Sequence, residues 1–209
     1  MTEKNNARAW QRMLSGRRLD LLDPSPLDVE IGDIAHGLAR VARWNGQTLG
    51  EHAYSVAQHS LVVEAVFSQL HRARAEQCQM ALLHDAPEYV IGDMISPFKA
   101  VVGGGYKSVE KRLEAAIHLR FSLPPHPERS LKARIKSADR IAAYFEAVTL
   151  AGFTIAEATK FFGKPTRISS EGLPLDPMPT TEAQQRFLVR FTEIEDMRNA
   201  AESCQRTAS

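Results

Sequence analysis

The sequence predicts an all-α helical bundle, and three observations carry that prediction. Apolar residues recur at helical spacing in segment after segment, and no β-alternation or internal repeat stands out. With 209 residues, 44% of them hydrophobic and 24% charged, the chain also has the length and composition for one full core. Residues 1–30 read as a polar lead-in, with a first helix around Ala9 to Leu14 and a turn-rich Asp23-Pro24-Ser25-Pro26. Residues 31–209 then form a single domain.

The elements of that domain follow in order. Ile34, Leu38 and Val41 mark a helix from Ile31 to Trp44 that stops at Asn45-Gly46. Glu51 to Leu70 forms a long amphipathic helix, in which Val56, Val63 and Leu70 repeat by heptads. Arg74 to Val90 is the next, closed by Gly92 at a left-handed position. Tyr106, Val109, Leu113 and Ile117 mark another after a glycine-rich joint, which ends at Pro124-Pro125. Leu131, Ile135, Ala138, Ala142, Phe145 and Leu150 trace a stripe from Ser130 to Ala151, and Ile155 to Phe162 makes a short helix. Thr166 to Pro179 is loop. Thr181 with Gln184 then starts a last helix by a capping box, and its stripe Phe187, Phe191, Ile194 and Met197 fits a monomer core and a homodimer interface equally well.

Composition excludes several function classes. The net charge is +1, from 26 basic and 25 acidic residues, so nothing argues for a nucleic-acid groove or an anionic membrane surface. No run approaches 18 apolar residues and Met1-Thr2-Glu3-Lys4-Asn5-Asn6 has no apolar signal region, which points to the cytoplasm. Cys78 and Cys204 are too few for a disulfide framework or a cysteine-rich zinc site. Any metal must be held by His, Asp and Glu.

The chemistry concentrates in Ala81 to Asp93. His84 and Asp85 sit about 100° apart on a helix wheel, close enough for one cation to take an imidazole nitrogen and a carboxylate oxygen. Glu88, four residues after His84, places a second carboxylate one turn on, where it can orient a water, and Asp93 starts a loop continuing through Ser96-Pro97-Phe98-Lys99. Burying such groups beside Met80-Ala81-Leu82-Leu83 costs several kcal/mol unless they are paired or metal-bound. A third ligand fits His52 or His59, which share a helix face but lie about 10 Å apart along it, too far for both. Asp139 lies beside an apolar stripe and needs a metal or a salt bridge with Arg140. Arg43, next to Trp44 and the turn, fits a solvated face or a guanidinium on phosphate with the indole as a pocket wall. His36 fits core and pocket equally.

With His59, the His84-Asp85 pair and Asp139 in place, the chain resembles the HD-domain metal-dependent phosphohydrolases. The runs His84-Asp85-Ala86-Pro87-Glu88, Gly92-Asp93 and Ser96-Pro97-Phe98-Lys99 are similar to those of bacterial 5′-deoxynucleotidases. So are Arg43-Trp44 and Gln58-His59-Ser60, where that family has Glu-His-Ser. The resemblance covers roughly Ile34 to Leu150 and implies an HD-domain helical bundle around one divalent ion, with His59, His84, Asp85 and Asp139 as ligands. It further implies Glu88 and Asp93 near the attacked phosphorus, Arg43 on the phosphate and Trp44 against the sugar. The expected reaction is single-metal hydrolysis of the 5′-phosphate of a (deoxy)nucleoside monophosphate, with Glu88 or Asp93 taking a proton and Lys99 helping Arg43. Two imidazoles and two carboxylates admit Mn, Co, Fe, Ni, Zn or Mg. The alternatives are another phosphoester, a deoxynucleoside triphosphate or a guanosine polyphosphate, and a metal-containing nucleotide sensor without turnover.

Overall fold

In the computed structural model the described residues are 9–94 and 105–207. The loop through Lys99 and the first glycines of the joint lie outside them. Eight α-helices carry the described fold: α1 (Ile31–Leu38), α2 (Val56–Leu70), α3 (Ala75–Leu82), α4 (Glu88–Ile91), α5 (Gly105–Arg120), α6 (Arg129–Thr149), α7 (Ile155–Phe162) and α8 (Thr180–Thr207). No described helix is long and apolar enough to cross a membrane.

Helix α2 is the axis of the bundle. Ten of its residues, from Val56 to Phe67, are buried, and it packs against α1, α3, α6 and α8. The Ser55 side chain caps it by accepting from the Gln58 N–H. The helix therefore starts after His52, which precedes it in a loop instead of sharing a face with His59. Ser55 is thus the residue that starts the helix.

Among the described residues the lead-in holds no α-helix, only a 3-10 turn at Pro26–Asp28. Residues Trp10–Arg12 and Arg18–Asp20 pair antiparallel as a short hairpin, β1 and β2, around Gly16 at φ 89°. Ser15 fastens it to α1, its backbone N–H and hydroxyl both reaching the Asp33 carboxylate at 2.9 and 2.5 Å. Leu19 plugs the core with no exposed surface. Strands of three residues are too short to show alternation, which is why the sequence reads as helix there.

The helix expected from Arg74 to Val90 breaks after Leu82. Pro87 has no N–H to give the Leu83 carbonyl and disfavours helical backbone before it. The chain tightens instead into bonds from His84 N–H to Ala81, Ala86 N–H to Leu83 and Glu88 N–H to Asp85, at 3.4, 2.9 and 2.9 Å. His84 and Asp85 thus stand on a tight turn between α3 and α4. Gly92 ends α4 at φ 76°, ψ 161°, a conformation open essentially to glycine, and turns the chain toward Asp93.

Helix α4, directly after the tight turn, is held against α1 by a close approach. A Cβ on Gly37 would lie 2.8 Å from both the Cβ and the carbonyl oxygen of Tyr89. Alanine normally gains roughly 1 kcal/mol over glycine inside a helix, but overpacking against an immovable carbonyl costs about 1–3 kcal/mol. We expect Gly37→Ala to lower stability by on the order of 1 kcal/mol in thermal or urea unfolding. A raised melting temperature would show that α1 and α4 are not in tight contact.

Helix α8 closes the other side of the bundle. It begins at Thr180, with the Pro179 carbonyl accepting from Glu182 and Ala183, so Thr181 lies in the first turn and is not the cap. Arg190 grips the buried Glu64 of α2 with two bonds of 2.8 and 2.9 Å. Arg198 reaches Gln79 of α3 and the carbonyls of Phe121 and Ser122. Phe187, Phe191 and Ile194 are buried in this core.

Candidate metal centre and active site

Two helices and the tight turn bring the polar groups together. His59 comes from the first turns of α2, His84 and Asp85 from the turn after α3, and Asp139 from the middle of α6. One ligand atom from each of His59, His84 and Asp139 lies within 4.8 Å of the others. Asp85 Oδ2 joins them, 3.1 Å from His84 Nε2 and 3.5 Å from His59 Nε2, while Asp139 Oδ1 is 3.3 Å from His59 Nε2.

The donor set fits a cation better than a proton network. His84 Nδ1 lies 3.0 Å from the Ala81 carbonyl, which can only accept, so Nδ1 carries the hydrogen. The His59 Nδ1 lies 2.5 Å from Glu146 Oε1, also an acceptor. In each neutral ring that leaves the lone pair on Nε2, and both Nε2 atoms are buried without a hydrogen bond. Two orphaned lone pairs aimed at the same place as two carboxylates make a metal site's donor set.

The electrostatics agree. Burial works to raise the Asp85 and Asp139 carboxyls, but the neighbouring imidazoles of His84 and His59 hold both below the ordinary range. For His59, burial and Arg43 push down, yet Glu146, Asp139 and Asp85 outweigh them and hold the imidazole well above its ordinary value. A cation must displace that proton, so binding releases protons and weakens as the pH falls. In a weakly buffered titration with Mn or Zn we expect measurable acidification. A binding constant independent of pH between about 6 and 8, around the ordinary His value, would contradict it.

His84, Asp85 and Asp139 line a cavity of about 340 Å³ together with Glu88, Lys111, Lys132 and Lys136, while His59 is buried behind them. Glu88 is 3% exposed, beside His84 and Asp85 on α4. Lys136, one turn before Asp139, places its ammonium 2.5 Å from Asp139 Oδ2. Sequence reading overlooked this lysine, although its spacing of three from Asp139 puts both on one helix face.

Behind the cluster stands a second group. The segment Val41 to Arg43 pairs with Tyr54 to Val56 at the start of α2, through bonds of 2.8 and 2.9 Å, and sets Arg43 and Trp44 beside His59. Arg43 spans two carboxylates, Asp93 at 3.1 Å and Glu146 at 3.5 Å. Trp44 takes left-handed backbone at φ 56°, followed by Asn45 at φ 51°. Its indole N–H donates to Glu146 at 3.0 Å, and its ring packs on Phe153 and Phe162 at centroid distances of 5.6 and 5.9 Å. Arg43, Trp44 and Asp93 do not line the described part of the cavity. Lys99 lies outside the described residues.

Glu146 is a second residue that sequence reading missed. It is wholly buried at the core of α6, where Ala142 to Ala147 reads as apolar stripe. The available signal was its place seven residues after Asp139, two turns along the same face. Gln58, by contrast, points away from the cluster: its amide donates to the Asp176 carbonyl at 2.8 Å and accepts from the Met178 N–H at 3.2 Å.

Comparison with known proteins shows the family of the chain. The chain is 56% identical over 184 residues to the uncharacterized protein RCAP_rcc00048 of Rhodobacter capsulatus, covering 88% of this chain and 94% of that protein. It is 29% identical over 174 residues to the uncharacterized protein YfdR of Escherichia coli, covering 83% and 89%. The family model described as 5′-deoxynucleotidase YfbR-like matches residues 34–160, more than half of the chain and the whole span of the His59, His84-Asp85 and Asp139 cluster. The protein belongs to the YfbR-like 5′-deoxynucleotidase family, within the HD-domain phosphohydrolases.

Proposed function

We propose that the protein hydrolyses the 5′-phosphate of (deoxy)nucleoside monophosphates, with one divalent ion held by His59, His84, Asp85 and Asp139. The observation that carries the reading is the pair of buried Nε2 atoms of His59 and His84 that converge with the carboxylates of Asp85 and Asp139 beside a cavity that Glu88 also lines. A divalent ion held there would supply an activated water near neutral pH and charge compensation at the phosphoryl group.

The chain's own residues do the rest. Glu88 lines the cavity next to His84 and Asp85 and takes the proton of the attacking water. Asp93 is committed to Arg43, so its role is to hold that guanidinium. The Arg43 Nε–H is buried with no hydrogen-bond partner among the described residues, and its role on the phosphate is the one the family resemblance implies. Lys136 supplies a second cation at the cavity wall. Trp44 closes the sugar side, as the family resemblance implies.

A monophosphate suits this cavity better than a polyphosphate. Lys132 is drawn to Glu114 at 3.5 Å, and Glu110 and Glu114 share the wall with the lysines, so the outer cavity has no surplus of positive charge. The test is phosphate release from deoxy and ribo 5′-monophosphates and from nucleoside triphosphates, using protein stripped and reloaded with Mn, Co or Mg. Metal-dependent release from monophosphates is the expected result. Silence across the panel, or release from triphosphates alone, would overturn the substrate assignment.

A further inference from the structure

A carboxylate with no exposed surface is costly unless each oxygen is engaged, and in Glu146 each one is. Oε1 meets His59 Nδ1, the ring nitrogen turned away from the metal cluster. Oε2 accepts from the Trp44 indole N–H and faces Arg43. The backbone at Trp44 and Asn45 is left-handed, a conformation that persists only where surrounding contacts hold it. Glu146 is such a contact, and its side chain touches both a cluster histidine and this turn.

We propose that Glu146 is a positioning residue that sets the metal ligand and the substrate-facing turn together. Through Oε1 it fixes the tautomer and ring plane of His59, so that Nε2 is the nitrogen offered to the ion. Through Oε2 it anchors Trp44 and Arg43 and keeps the turn in its left-handed form. Asp93 completes the line on the far side of Arg43. The metal ligand and the residues assigned to sugar and phosphate are therefore not independent: loosening Glu146 disturbs both. This inference deepens the proposed function and rests on it for the roles of Arg43 and Trp44, whereas the arm through His59 needs only the metal.

Glu146→Gln in the full chain tests it. Glutamine keeps the volume but offers a single acceptor oxygen, so it cannot accept from His59 and Trp44 together as the carboxylate does. With Co²⁺ as the probe, we expect the dissociation constant to rise roughly 10- to 100-fold and the visible spectrum of the Co-loaded protein to change. At saturating Co²⁺ the KM for the monophosphate should rise as well. Trp44→Phe removes the indole N–H yet spares the bond to His59, and should leave Co²⁺ affinity within about threefold of wild type.

A Glu146→Gln protein with wild-type Co²⁺ affinity and spectrum would overturn the inference while leaving phosphate release by wild type, and hence the proposed function, intact. The converse, weakened Co²⁺ binding in the variant with no nucleotide hydrolysed by wild type, would sink the proposed function and keep the His59 arm. Should the variant fail to fold by circular dichroism, histidine-labelled wild type decides by NMR. A downfield, slowly exchanging proton on His59 Nδ1 in the Zn-loaded protein supports the inference, and the other tautomer overturns it.

Discussion

Asp85→Ala is expected to lose the metal, and with it phosphate release by roughly a thousandfold or more, equivalent to about 4 kcal/mol of transition-state stabilisation. The Asp85 Oδ2 lies near the Nε2 atoms of both His59 and His84, so one truncation removes the oxygen that both imidazoles face. His59, His84 and Asp139 remain, a set with less negative charge for a divalent ion. The side chain is 26% exposed, and its removal leaves no large cavity, so the variant should fold. Metal content after gel filtration, read beside phosphate release, checks the prediction. Wild-type metal stoichiometry in Asp85→Ala would remove this residue from the ligand set.

Glu88→Gln should separate the metal from the proton. Glutamine keeps the shape of a side chain that is 3% exposed at the cavity wall, so fold and metal content should persist. It cannot take a proton from water, and kcat should fall by roughly 10²- to 10⁴-fold, or about 3–5 kcal/mol, with little change in KM. A kcat within a factor of about three of wild type would show that proton removal lies elsewhere. Asp93 is then the next carboxylate to test, at the cost of releasing Arg43.

The outcome along the chain shows which physical signals survive in a sequence. His59, His84, Asp85 and Asp139 stood out because polar groups interrupt apolar runs, where burial is expensive without a partner. Their meeting point needed the fold, since α2, the turn after α3 and α6 are remote in sequence. The local shape at His84 was misread because spacings of three and four look alike in a helix and in a tight turn, and Pro87 decides between them. Glu146 was lost for the opposite reason: a lone acid among alanines and aromatics resembles the polar edge of an amphipathic helix until its partners are known. The hairpin around Gly16 left only one glycine as a sign. Most of the bundle was legible from apolar spacing, because α2, α6 and α8 are long enough for the period to repeat.

The orientation of Gln58 has a consequence for how this chain can change. Next to His59 but facing the other way, it clasps the segment that leads into α8 through one donor and one acceptor. Glutamate, the residue found here in the Glu-His-Ser pattern, could still accept from the Met178 N–H. Its other oxygen would press against the Asp176 carbonyl, two acceptors with no hydrogen between them. The amide at position 58 and the path of residues 174–179 are therefore a matched pair, to be exchanged together when segments are swapped between relatives. A chimera that imports the acidic residue without its own connecting segment should lose order at the start of the last helix, while the cluster of His59, His84, Asp85 and Asp139 keeps its place.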